Sequence, residues 1–585
     1  MPLLLSPAGS PAALKAAIDA GADEVYLGGS DFNARINASN FDREALVKAG
    51  KLCRSSNVGL HITLNTLIYD KEFRSVLDYV SFLANDVMPD AIIIQDLGLA
   101  SVIRREFKGL ALHASTQMRI HSHLEAEYLK ALGFTRAVVA RELPREDIKR
   151  FAETGLETEI FVHGAICVSE SGGCLMSSVI GNRSGNRGEC AQPCRLPYKS
   201  ENRYPLSLKD MCLAPHIKEI NSLGVTSLKI EGRMKNPEYV GAVTSVYRRL
   251  IDEDRNATGE ELKFLASVFS RSGFTDGYYL SKINKTMFGI RREEDKKQSE
   301  KGIFRISKAE KRPIREKATV EPECILPVRD DEKTLHPAKQ KGFVLRFEGR
   351  KPSERFLEKH APDAARIDIP LAECADERFL PYRDKLSVII PRSVFVSEQE
   401  HVKKQIELAR SLGIRSATVS SLCHLTLCEG MYLHGDYAFN VVNRETLSML
   451  EGYSLSSVML SPETDGKFAR GSKCALEYIG YGRTPLMYTR TCIIANAEGC
   501  KHKEKCFASL TDRTGASFPI ISGHSHTNII YNSLPGYRLD RRAELKKSGV
   551  GLLTLLFTDE SEKRMEEIVL LAKSGEKPKF EYTRR

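Results

Sequence analysis

Along the N-terminal half, short aliphatic and β-branched runs alternate with longer stretches whose apolar positions recur at i, i+3 and i+4. The runs predict strands at Leu3–Ser6, Glu24–Gly28, Gly59–Asn65, Ala91–Asp96, Ala111–Ser115, Arg136–Ala140, Glu159–His163 and Ser227–Glu231. Between them PAALKAAIDAG, FDREALVKAGKLCRSS and HLEAEYLKALGF carry the period of amphipathic helices. Eight strand–helix units predict an α/β fold, a TIM-like (β/α)8 barrel over residues 1–283, in preference to an open doubly wound sheet.

The pattern breaks over residues 284–342, a charged segment containing RREEDKKQSEKG and KAEKRPIREK. It reads as a solvated linker or excursion rather than an RNA-binding arm. Strand patterns resume at Phe343–Phe347, Arg366–Ile369, Ser387–Ile390, Ser416–Ser420, Tyr432–Gly435, Ser457–Leu460, Leu476–Gly480 and Gly551–Phe557. Residues 343–585 are therefore expected to form a second, diverged barrel-like unit. LHGDYAFNVVNRETLSMLEG parallels LHASTQMRIHSHLEAEYLKALG, and each is followed later by a strand and a cysteine group, which points to duplication. The second copy lacks counterparts of HASTQ, ARE and EGR, so binding rather than chemistry is expected of it.

A barrel enzyme builds its site at the C-terminal ends of its strands. Here those ends are rich in polar groups. Arg35, Asn65, Gln95, Asp96, His113, Ser115, Gln117, Arg141 and Arg233 are candidate substrate-binding residues. Glu142, His163 and Glu231 are candidate proton-transfer groups. Any one of them could be a cap or a surface residue; their convergence on one face of one barrel argues for an enzyme.

A chain of 585 residues needs more than one hydrophobic core. With 42% hydrophobic and 28% charged residues it has the composition of a soluble globular protein. No apolar run reaches the length of a membrane span, and MPLLLSPAGSPAAL lacks the basic start of a signal peptide. A cytoplasmic protein without a membrane partner is expected, and nothing points to an obligate protein partner. The net charge of +10 leans mildly toward a polyanionic partner. The chain has neither HExxH nor GxSxG, which disfavours a peptidase.

The 14 cysteines change this picture more than the charge does. Disulfides are not expected in a reducing compartment, and scattered residues such as Cys53, Cys212, Cys324 and Cys374 read as small buried hydrophobes. Cys167, Cys174, Cys190 and Cys194, however, fall in one Gly/Ser/Asn-rich loop as C-x6-C-x15-C-x3-C. Four thiolates so placed suit zinc or an iron–sulfur cluster. The wide first spacing is unlike a zinc knuckle, and a loop that follows the seventh strand opens on the catalytic face, which favours the cluster. Arg183, Arg187 and Arg195 flank it. A second group, Cys492, Cys500 and Cys506 with His502 nearby, is either a zinc site in the C-terminal half or a decayed counterpart of the first loop.

LSPAGSPAALKAAIDAGADEVYLGG, FNARINASNF, HASTQMRIHS, VARELPREDI, EIFVHGAICVSESGGCLMSS, RGECAQPCR and SLKIEGRMKNPEYV together resemble the collagenase-like peptidase family U32 over roughly residues 1–255. The second half more loosely resembles the extra C-terminal domain of the longer members. Despite the family's name, the resemblance implies oxygen-independent hydroxylation. One branch acts on a cytidine of large-subunit ribosomal RNA, another on the tRNA wobble uridine, a third in ubiquinone biosynthesis. It further implies prephenate as a cosubstrate and a 4Fe–4S cluster on Cys167, Cys174, Cys190 and Cys194. The extra domain favours 23S ribosomal RNA 5-hydroxycytidine formation over the tRNA alternative. A peptidase and a non-catalytic RNA-binding protein are the alternatives from other classes. Arg35, Arg141 and Arg233 are then the expected clamps for the carboxylates of prephenate.

Overall fold

A computed structural model of the chain describes residues 1–36, 39–200, 203–293, 295, 341–499 and 506–583. The expected linker falls mostly outside the described residues, as do Cys324, Cys500 and His502. The chain forms two compact units. The first comprises Met1–Ile68, Glu72–Leu326 and Thr489–Cys500; the second comprises Tyr69–Lys71, Pro327–Tyr488 and Lys501–Arg585.

In the first unit the strands are β1 Leu3–Pro7, β2 Glu24–Leu27, β3 Gly59–Leu64, β4 Ala91–Ile94, β5 Leu112–Ala114, β6 Phe134–Val138, β7 Glu157–Ala165, β8 Asp210–Cys212, β9 Ser227–Ile230 and β10 Phe274–Thr275. β1 to β7 pair in sequence order, all parallel, and β9 closes the ring by pairing with both β7 and β1. This is a closed eight-stranded parallel barrel. Helices return the chain between strands and start on side-chain caps: Ser10 on Ala13, Asp42 on Ala45 and Asn236 on Tyr239. β8 lies outside the ring, antiparallel to the end of β7, with β10 beside it. Residues near 284, expected as linker, are still part of this packing: Met287 is buried and Leu208 bridges to Phe288.

The second unit repeats the plan. Its strands are β11 Gly342–Phe347, β12 Arg366–Pro370, β13 Leu386–Ile389, β14 Ser416–Val419, β15 Tyr432–Gly435, β16 Ser457–Met459, β17 Ala475–Gly482, β18 Pro485–Thr489, β19 Phe507–Thr511, β20 Ser517–Ser522, β21 Asn528–Tyr531, β22 Gly536–Tyr537 and β23 Val550–Phe557. β11 to β17 and β23 close a second eight-stranded parallel barrel. β18 to β21 make a separate four-stranded sheet, and β22 runs antiparallel to the end of β17 as β8 does to β7. Each barrel therefore carries its main insertion between its seventh strand and a short antiparallel strand.

The lumen of each barrel is charged rather than apolar. In the first, Arg136 donates to both oxygens of Glu24 at 2.7 and 3.1 Å and to Glu159 Oε2 at 3.2 Å, while Lys229 donates to Glu159 Oε1 at 2.8 Å. In the second, Arg366 donates to Glu477 at 2.9 and 3.0 Å and to Asp368 at 2.6 and 3.0 Å. All of these groups are buried, and each charge has an opposite one within hydrogen-bond reach. A buried ion survives only under that condition.

Candidate active site

The loop after β7 carries the four cysteines and is tied across several strand ends. Gly172, at φ +76°, passes so close to the β5 end that an added Cβ would lie 1.9 Å from the Gln117 carbonyl oxygen. Gly188, at φ +85°, passes the β2 loop in the same way, 2.3 Å from the carbonyl of Asn33. Arg187 forms a bidentate ion pair with Glu72 at 2.5 and 2.7 Å, and the Leu67 amide donates to the Asn186 carbonyl at 3.0 Å. Arg195 donates to Ser207 and to the Ile166 carbonyl, both at 2.8 Å. Glycine is needed at Gly172 and Gly188 for both its left-handed conformation and its lack of a side chain.

These ties gather the thiols. Burial raises the pKa of Cys167, Cys174 and Cys194, that of Cys194 to about 12, and in each case the neighbouring cysteines raise it further. Cys190 is exposed. Among the described residues one set of three or more His, Cys, Asp and Glu side chains has all its ligand atoms within 4.8 Å: His61, His113 and Glu159. The four cysteine sulfurs are set more widely. The His61 set lies in the lumen, where Arg136 and Lys229 already occupy both oxygens of Glu159, so two cationic groups stand where a metal ion would.

Beside the cysteine loop, Glu231 at the β9 end is paired with Arg141 at 2.9 Å and Arg35 at 3.6 Å. Burial alone would raise the Glu231 carboxyl; Arg35 and Arg141 hold it below its usual range. The charge of Arg35 is felt by Cys167 and Cys190, and that of Arg141 by Cys167, so the two guanidiniums link Glu231 to the thiols. Arg141 also lies 4.0 Å from the centre of the Phe161 ring. Arg233 is buried, donating to Thr63 at 2.9 Å and Asn33 at 3.3 Å, and an added Cβ on Gly28 would lie 2.4 Å from its Nη1. Burial lowers it to about 10.

Several strand-end groups are buried without a hydrogen-bond partner: both amide atoms of Gln95, Nδ1 of His113, Nε of Arg141 and Oε2 of Glu142. Each such atom costs about 1–3 kcal/mol unless something binds it. The Glu142 carboxyl is pushed up to about 8, first by burial and then by the neighbouring Glu170. It is a protonated acid at neutral pH.

Other expected residues serve the scaffold. Asp96 caps Leu97–Glu106 through Leu99 at 2.9 Å and accepts from Ile68 at 3.0 Å. Ser115 accepts from the Gln117 amide at 3.2 Å. The Gln117 side chain donates to the Asn65 carbonyl at 3.1 Å, and Asn65 Oδ1 accepts from the Ala34 amide at 3.1 Å. His113 sits deeper, its ring 4.7 Å from that of His61. His163 points away from the mouth. A bulge in the β7–β9 pairing between Phe161 and His163 turns its ring toward the helix side, among Tyr239, Tyr247 and Phe274. Burial lowers it to about 3, so it is a neutral packing histidine. Cys492 lies in the first unit and caps Ile493–Glu498, whereas Cys506 lies in the second and opens onto β19.

Two features escaped the sequence reading. The lumen charges sit one per strand inside otherwise apolar runs, and that placement was the available signal. The assignment of Thr489–Cys500 to the first unit had no local signal at all.

Residues 9–288 match the model of peptidase family U32. An uncharacterised protease of Methanocaldococcus jannaschii is 37% identical over 306 residues, covering 48% of this chain and 74% of the relative. The 23S rRNA 5-hydroxycytidine C2501 synthase of Escherichia coli is 36% identical over 293 residues, covering 48% of this chain and 43% of the relative. The tRNA hydroxylation protein P1 of Bacillus subtilis is 33% identical over 267 residues, covering 43% of this chain and 63% of the relative. Among the described residues, no helix is long and apolar enough to cross a membrane.

Proposed function

The chain belongs to peptidase family U32, and from that premise we propose that it is an RNA hydroxylase that forms 5-hydroxycytidine in 23S ribosomal RNA. The observation that carries the reading is the grouping of Arg35, Arg141 and Glu231 against a loop of four mutually sensed thiols. Relatives named for rRNA and tRNA hydroxylation support it.

The cysteines fit an iron–sulfur cluster. A tetrahedral zinc with bonds near 2.3 Å would draw its sulfurs to about 3.8 Å of one another. The loop sets them wider, as a polynuclear cluster requires. Cys167, Cys174, Cys190 and Cys194 would hold the 4Fe–4S centre, which when bound supplies electron transfer or a structural tie. Zinc in the C-terminal half has less support, because Cys492 and Cys506 belong to different units.

The residues themselves act as follows. Arg35 and Arg141 offer planar donors to the carboxylates of a cosubstrate such as prephenate, the proposed source of the hydroxyl group, and Glu231 orients them. Arg233, locked by Thr63 and Asn33, contributes fixed positive charge. Gln95 presents an unpaired amide able to read the edge of a single-stranded or flipped pyrimidine. Glu142 holds a proton that it can deliver to the reacting base or cosubstrate. A cysteine peptidase would need a thiolate, and burial works against that at Cys167, Cys174 and Cys194.

Nucleoside mass spectrometry of separated rRNA and tRNA, from cells with and without the gene, tests the reading. Loss of 5-hydroxycytidine from 23S rRNA is expected. Loss of 5-hydroxyuridine from tRNA would transfer the assignment to the tRNA branch, and no change in either would end the RNA reading.

A further inference from the structure

Residues 489–500 lie far along the sequence, beyond most of the second barrel, yet they pack as part of the first unit. They are anchored there. Thr491, Ile493, Ile494 and Ala497 are buried. Thr491 hydrogen-bonds the hydroxyl of the buried Tyr278, and Asn496 Nδ2 donates to the Pro205 carbonyl at 2.9 Å. Pro205 lies in the stretch that leads from the site cysteines to β8. Cys492 Sγ accepts from the Ala495 amide at 3.4 Å and fixes the start of the short helix.

The anchored strap carries one charged group toward the mouth, Arg490. Its guanidinium is in electrostatic range of Glu142, His121 and Tyr278. Glu142 comes from the β6 end. Glu170 comes from the cysteine loop between Cys167 and Cys174, and its Oε1 lies 3.6 Å from His121 Nε2. Both carboxyls are buried, and Glu142 Oε2 has no hydrogen-bond partner. Two adjacent buried carboxyls resist carrying two negative charges, and a nearby cation decides how firmly the proton of one is held. The charged and titratable groups facing Glu142 are Glu170, Arg141, Arg490, Tyr278 and Cys167.

We propose that Arg490 is a positioning residue of the first barrel's site, supplied by the strap 489–500, which tunes the release of the proton held at Glu142 opposite Glu170. This rests on the reading of Glu142 as a proton donor above. It gives the second half of the sequence a direct part in the first barrel's chemistry, since the strap is reached only through β11 to β18.

The test uses the full-length chain and two readouts. The first is an infrared titration of the protonated-carboxyl band, assigned by its disappearance in Glu142→Gln. In Arg490→Ala the band is expected to persist to a pH higher by about half a unit or more, because a cation that favours the ionised acid is gone; Arg490→Lys should restore the wild-type titration. The second is the pH profile of RNA hydroxylation, whose alkaline limb should move the same way, with kcat falling more than KM rises. An Arg490→Ala protein that folds and titrates like wild type would overturn the proposal. A wild-type protein that titrates as described but modifies no RNA would instead count against the hydroxylase reading.

Discussion

Glu159 and Glu477 hold the same place in their barrels, the third residue of the seventh strand, yet different strands supply the arginine that neutralises each. For Glu159 it is Arg136 on β6; for Glu477 it is Arg366 on β12, the second strand of its ring. In the first barrel the second strand carries Glu24, the partner acid of Arg136. Two copies of one fold have thus kept the acid and moved the base. This buried relationship supports duplication more strongly than the surface motifs do, because a lumen charge cannot be lost without a compensating change.

That constraint makes Arg366 costly to remove. Arg366→Met leaves Asp368 and Glu477 facing one another without a cation, and should destabilise the protein by about 3–5 kcal/mol. Denaturant unfolding measures it; a loss below about 1 kcal/mol would mean that the network relaxes or takes up water.

Cys174→Ala should abolish iron binding and its visible absorbance, and with them RNA hydroxylation, while the far-ultraviolet circular dichroism stays that of the wild type. Full iron content in this variant would remove Cys174 from the ligand set.

Gly172→Ala changes no ligand but should act almost as strongly on the metal centre. The new methyl group would lie 1.9 Å from the Gln117 carbonyl, at a φ of +76° that L-residues avoid. Strain of about 1–3 kcal/mol should push the loop off the β5 end. Iron content is the measurement, and wild-type loading would show that the loop assembles without that close approach.

The Glu142 carboxyl, pushed up from 4.5 to about 8, also predicts a pH dependence of stability. Between those values the folded protein binds a proton that the unfolded chain releases, so stability falls as pH rises through the window. Glu142→Gln should flatten that decline, by up to about 1.4 kcal/mol per pH unit. Equal slopes for the two proteins across the window would exclude a buried protonated acid.

Arg35→Ala should raise KM for the anionic cosubstrate by about tenfold or more, equivalent to about 1.4 kcal/mol, and change kcat less. Half-exposed and paired with Glu231, Arg35 can be removed without leaving an unpaired charge in the core, since Arg141 still serves Glu231.

The sixteen strands of the two rings follow from hydrophobic periodicity, because strands covered by helices are near-continuous apolar runs. The cysteine loop was equally legible, since its residue types and spacing are local. What was not legible depends on geometry that no short window contains. Asp96 was read as a ligand group although it stands where a helix N-cap is needed. His163 was placed in the mouth because strict alternation puts it in phase with Glu159 and Phe161, and one bulge reversed it. The sheet of β18 to β21 and the strap 489–500 are insertions whose partners lie far away in the sequence.

The insertion point within the second barrel bears on how the chain is made. β17 emerges from the ribosome with everything from Arg483 to Gly549 still to come before β23. At about 5–20 residues per second that is a wait of several seconds. Throughout it, β11 and β17 are the open edges of a seven-stranded sheet, each able to pair with any other extended chain nearby. Newborn molecules should therefore be most vulnerable to aggregation and most dependent on chaperones in that interval, and mutations that delay β23 should show up as lost yield rather than as lost activity.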